Sequence, residues 1–95
     1  MGDGDQARTR GFVALVRDIA EGFLTLNPLS LKQFDGQSYK GLHQQIRKMQ
    51  TEIRGEKFPV HDLDAIRRRN MRLQRLHQAQ VILEHQARLR RIVLV

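Results

Sequence analysis

Ninety-five residues with a formal net charge of +7, 40 % of them hydrophobic, describe one small basic chain. It has no cysteine and no tryptophan, which excludes a disulfide scaffold and thiolate chemistry and leaves the core to aliphatic side chains. No apolar run approaches 18 residues and no charged-then-apolar leader opens the chain, so a soluble, cytoplasmic protein without membrane insertion is expected.

The charge is unevenly spread. Residues 1–36 are close to neutral, whereas 37–54 and 62–95 carry the excess of arginine and lysine. Such a field draws nucleic acid, anionic lipid or an acidic protein face alike.

Residues 1–9 read as a flexible N-terminus, with a single helical domain over 10–95. Phe12, Leu15, Val16, Ile19, Phe23 and Leu26 recur at helical spacing, which predicts a first helix over 10–26. Asn27-Pro28 closes it, because the residue before a proline is driven out of the α region. Ser30-Leu31-Lys32-Gln33 has the form of a capping box and predicts a short helix bearing Leu31 and Phe34. Asp35-Gly36 then reads as a turn.

A third helix is expected over 38–54, with Ser38 as N-cap and Gly55 as C-terminal cap. Tyr39, Leu42, Ile46, Met49 and Ile53 form a narrow seam in otherwise polar sequence, as helix-pair packing requires. Met49 to Gly55 partly resembles the calmodulin-binding IQ motif in its Gln-x-x-x-Arg-Gly core. Pro59 stands where that motif expects a later base, so Met49 and Ile53 are assigned to the seam. Residues 55–61 form a linker in which Phe58-Pro59 is extended and Phe58 rests on the bundle. Seven residues suit an antiparallel return.

The last element dominates the chain. From Asp62, its N-cap, to about Val93 no glycine or proline interrupts. At 1.5 Å per residue this helix reaches about 45 Å. Ile66, Leu73, Leu76, Leu83 and Ala87 share one stripe, with Gln80 inside it. Met71, Ile82, Leu89 and Ile92 form a second, roughly opposite stripe. A surface helix needs one apolar stripe; two imply neighbours on two sides. A homodimer is therefore expected, with Met71, Ile82, Leu89 and Ile92 as candidate partner-binding residues. Gln80 either fixes register or oligomer state or is simply exposed.

Arg67, Arg68, Arg69, Arg72 and Arg75 fall within nine residues and are the candidate polyanion site. Guanidinium groups at this density suit phosphate. No aromatic residue interleaves them, so a single-strand stacking platform is not expected. Arg88, Arg90 and Arg91 complement the negative end of their own helix. His43, His61, His77 and His85 have no metal-ligand spacing, and no nucleophile–base pair is apparent. No cofactor, metal or catalytic role is assigned. The apolar end, residues 92–95, is expected to dock on this chain or on a partner.

The expected fold is all-α: a small bundle of three to four helices, with the long C-terminal helix in an antiparallel hairpin with the third. The expected function is a non-enzymatic helical protein–protein interaction module, a small adaptor or assembly factor. The alternative is a basic helical nucleic-acid-binding protein holding phosphates on its arginine face.

Overall fold

The computed structural model describes residues 2–57 and 61–94, with side chains from Gly11 onward. Four helices follow one another: α1 (Gly2–Glu21), α2 (Pro28–Leu31), α3 (Gly36–Arg54) and α4 (Leu63–Leu89). No strand occurs among the described residues. The helices α1, α3 and α4 pack pairwise around one core, and α2 lies against α4. Val16, Ile19 and Ala20 enter that core from α1, Tyr39, Leu42, Ile46 and Ile53 from α3, and Leu76, Ala79, Leu83 and Ala87 from α4.

The third and fourth helices form the expected antiparallel hairpin. His43 faces Glu84, Gln50 faces Gln80, and Glu56 just beyond α3 faces Arg72, so α4 recedes as α3 advances. With 27 residues, α4 is about 40 Å long, which matches the 44 Å long axis of the molecule. The Tyr39, Leu42, Ile46 and Ile53 seam is buried and Met49 is half-buried at its edge.

Each helix boundary has a local cause, and several differ from the expectation. The first helix begins at Gly2 rather than at residue 10, and it ends at Glu21 rather than at residue 26. Gly22 stops it by adopting φ +84°. The Phe23 N–H then reaches back to the Asp18 carbonyl at 2.8 Å, and the Gly22 N–H to Ile19 at 3.1 Å. This is a Schellman closure, which a residue without Cβ adopts at little cost. Phe23 and Leu26 continue the helical spacing in sequence but not in space. Leu26 is buried and Phe23 is 82 % exposed.

The capping box sits three residues earlier than Ser30–Gln33. The Asn27 side chain accepts from the Ser30 N–H at 2.8 Å, and the Ser30 hydroxyl accepts from the Asn27 N–H at 3.1 Å. Pro28 takes the first helical position, where its missing N–H costs nothing. The helix is only four residues long, so Phe34 falls after it. Asp35 caps α3 through the Ser38 N–H at 2.8 Å, which places Ser38 inside the first turn rather than at the cap. Gly55 does close α3, with an ordinary helical φ of −83°.

Asp62 caps α4 as expected, accepting from the Ala65 N–H at 3.0 Å, with Asp64 in the first turn. The expected positions of Phe58 and Pro59 lie outside the described residues. The long helix ends at Leu89, short of residue 93. Arg91 adopts φ 58°, and the Ile92 N–H bonds the Ala87 carbonyl at 2.8 Å. Residues 92–94 thereby turn back, and Ile92 and Leu94 pack against the core.

One further contact positions the bundle. A Cβ at Gly41 would lie 2.2 Å from the Phe12 ring. Glycine at this point of α3 lets the aromatic ring of α1 press directly on the helix backbone.

Candidate interaction surface

The five clustered arginines do not make one surface. Arg72 is half-buried, with Nε 3.5 Å from Glu21 Oε1 and an NH1 3.5 Å from Glu56 Oε1. It ties the end of α1 and the segment after α3 to the spine. Arg75, one turn on, donates from an NH1 to the Ala20 carbonyl at 3.0 Å, satisfying one of the orphan acceptors at the end of α1. Arg69 is half-buried beside Asn70, its NH1 3.4 Å from the Asn70 Oδ1. Only Arg67 and Arg68 stand out in solvent, with no ion-pair partner among the described residues.

Arg90 does more than complement its own helix. It leaves the end of α4 to donate to the Phe34 carbonyl at 2.6 Å and the Leu31 carbonyl at 3.4 Å. Its guanidinium lies 5.1 Å from the Tyr39 ring centroid, within cation–π range, and the Tyr39 hydroxyl donates to the same Leu31 carbonyl at 3.4 Å. Arg88 and Arg91 are exposed.

Between α3 and α4 runs a polar ladder. Gln50, almost fully buried, donates to Gln80 Oε1 at 2.9 Å; Gln80 in turn donates to Glu84 Oε1 at 3.2 Å. The buried His43 places Nε2 3.5 Å from the same Glu84 oxygen. Gln80 thus meets α3 at one point along the hairpin, as a register-fixing residue would. No group of three metal-ligating side chains gathers among the described residues.

The two stripes of α4 meet different fates. The first is covered by α1 and α3: Leu76, Leu83 and Ala87 are buried, and Ile66 and Leu73 are half-buried. Of the second, Ile82 and Ile92 pack on this chain's own core. Met71 and Leu89 remain 50 % and 66 % exposed. Ile82 shares a cleft with the strap of residues 22–27 between α1 and α2. Strap and helix enclose a cleft of about 280 Å³ lined by Ile19, Leu24, Leu26, Ala79 and Ile82, with Arg75, Gln78 and Thr25 at its polar side.

Arg75, Gln78 and Ile82 are spaced as one face of α4, and Met71 and Leu89 extend that face by about one and two turns at its two ends. Phe23 and Leu29, in and just after the strap, are 82 % and 75 % exposed. Phe23 and Leu29 escaped the sequence reading because Phe23 fitted a helical stripe. The usable signal was Gly22, since an isolated glycine near the end of a periodic run marks a cap. No described helix is long and apolar enough to cross a membrane. Comparison with protein-family models, with curated proteins and with solved structures finds no match.

Proposed function

We propose that this chain is a non-enzymatic helical module that binds an acidic partner protein along the strap side of α4. The observation that carries the reading is the exposure of Met71 and Leu89 on one face of α4 and of Phe23 and Leu29 in and after the strap, with the solvated Arg67, Arg68 and Arg88 on the same long helix. Exposed apolar side chains rimmed by charge characterise protein-binding patches rather than ordinary surface. The basic border selects against a like-charged partner and for an acidic one. A row from Met71 to Leu89 is about 27 Å long, which suits an amphipathic helix laid alongside.

The second reading is nucleic-acid binding through Arg67 and Arg68, favoured by their exposure and lack of carboxylate partners. The withdrawal of Arg72 and Arg75 into the fold weakens it, since phosphate affinity grows with the number of cations presented.

One comparison separates the two. Partners are captured from the native extract, purified and rebound to the wild-type chain, to Met71→Asp with Leu89→Asp, and to Arg67→Glu with Arg68→Glu. Mixed-sequence duplex is titrated in parallel. The apolar pair is expected to weaken rebinding by at least about ten-fold, roughly 1.4 kcal/mol, with duplex binding absent at about 0.15 M salt. Rebinding unchanged by the apolar pair, or duplex binding lost with the arginine pair, would overturn the protein-partner reading.

A further inference from the structure

We infer that the cleft between the strap and α4 is a binding site for a small organic acid, its carboxylate on Arg75 and a compact apolar group against Ile19, Leu24 and Ile82. The inference goes beyond the partner-protein reading and does not depend on it.

Three observations carry it. The first is the state of Arg75. Its neighbour Arg72 faces two carboxylates, Glu21 and Glu56. Arg75 is half-buried, and only one of its nitrogens has a hydrogen-bond acceptor among the described residues, the Ala20 carbonyl. A guanidinium carries five N–H donors in a planar fork that matches a carboxylate through two parallel bonds. With NH1 on Ala20, the edge formed by Nε and NH2 keeps its donors.

The second is Gly22. A Cβ there would lie 3.2 Å from both Nε and NH2 of Arg75. The nearest guanidinium atom is the central carbon, at 3.0 Å, so the missing side chain makes room for the flat face of Arg75 to lie against the strap, and an in-plane carboxylate on Nε and NH2 does not meet that position. The positive φ explains glycine at this position for the backbone; the seating of the Arg75 face is a second consequence of the same missing atom.

The third is size and lining. At about 280 Å³ the cleft exceeds the roughly 150 Å³ of an apolar cavity that accepts benzene. It has room for a ring, a short link and a carboxylate. Its floor is aliphatic, from Ile19, Ala79 and Ile82, and the cation stands at one side. An apolar pocket with a few convergent polar groups is the usual form of a small-ligand site.

The test uses the intact chain and three probes, phenylacetate, phenylacetamide and acetate, titrated into the ¹⁵N-labelled protein and followed by amide shifts. Phenylacetate is expected to shift Gly22, Thr25 and Ile82 saturably at millimolar concentration. Phenylacetamide, which keeps the ring but not the charge, and acetate, which keeps the charge but not the ring, should each bind at least about ten-fold more weakly. Arg75→Gln should reduce phenylacetate affinity by a similar factor. If that variant fails to fold, the amide comparison on the wild-type chain decides alone. Three results would overturn the inference: no saturable shift with phenylacetate, equal affinity for acid and amide, or shifts confined to the exposed Arg67, Arg68 and Arg88.

Discussion

At the scale of single residues, two positions set against general preference show where the fold accepts a cost. Arg91 holds a left-handed conformation because the chain must reverse there to send Ile92 back beside Gly36, where a Cβ would sit 3.9 Å from the Ile92 side chain. An L-residue with a Cβ is disfavoured in that region by roughly 1–2 kcal/mol. Arg91→Gly should therefore raise the unfolding free energy by about 1 kcal/mol, read as a higher urea midpoint at unchanged slope. Gly41 is the converse case. In a helix interior alanine normally gains about 0.5–1 kcal/mol over glycine, yet here the methyl would overlap the Phe12 ring. Gly41→Ala is expected to destabilise by about 1–3 kcal/mol. In a Phe12→Ala background the same change should turn mildly stabilising. A substitution that stabilises in both backgrounds would contradict the close approach. Nothing in the sequence could announce this contact, since it joins residues 12 and 41 across two helices; the cap at Asp62, by contrast, was legible because its partner lies three residues away.

At the scale of elements, the hairpin of α3 on α4 rests on an apolar seam with a polar ladder beside it. The seam was legible from spacing alone, because each of its members lies on one face of one helix. The ladder was half legible. Gln80 stands out inside a hydrophobic stripe, but its partner Gln50 looked like any solvated residue of a polar helix. Removing one member leaves the other's amide buried and unpaired, which costs about 1–3 kcal/mol. Gln80→Leu alone should therefore destabilise by that amount, and Gln50→Leu with Gln80→Leu by clearly less than the two singles together. Chemical denaturation of the four chains measures the coupling; strict additivity would show that the 2.9 Å bond contributes nothing to register. The ends of α1 and α4 were misjudged for one shared reason. Periodicity continues through Leu26, and again through Ile92, because a strap and a tail that fold back over a helix also need apolar residues; Phe23 fits the spacing and is nonetheless exposed. The pattern records burial and is silent about whether the backbone remains helical.

At the scale of the molecule, the two-sided spine follows from sequence, but the identity of its second neighbour does not. The expectation of a second copy rested on an apolar flank that one set of helices cannot cover. Ile82 packs on the chain's own core, and the tail brings Ile92 and Leu94 onto it. The packing reason for a homodimer is thereby narrowed to what stays open on the second stripe, Met71 and Leu89. The arginine cluster shows the same limit of sequence reading. Five cations within nine residues look alike on paper, and only the fold sends Arg72 and Arg75 inward to Glu21, Glu56 and the Ala20 carbonyl.

The central claim is that one copy of the chain covers the middle of the second flank of α4 and leaves its exposed ends, Met71 and Leu89, for an acidic partner. Sedimentation equilibrium over a wide dilution series tests it most directly. The account predicts a constant mass of 11.1 kDa, since a net charge of +7 opposes the meeting of two identical basic-rimmed surfaces. A reversible dimer that Met71→Asp with Leu89→Asp abolishes would show that the row belongs to a second copy, and would contradict it.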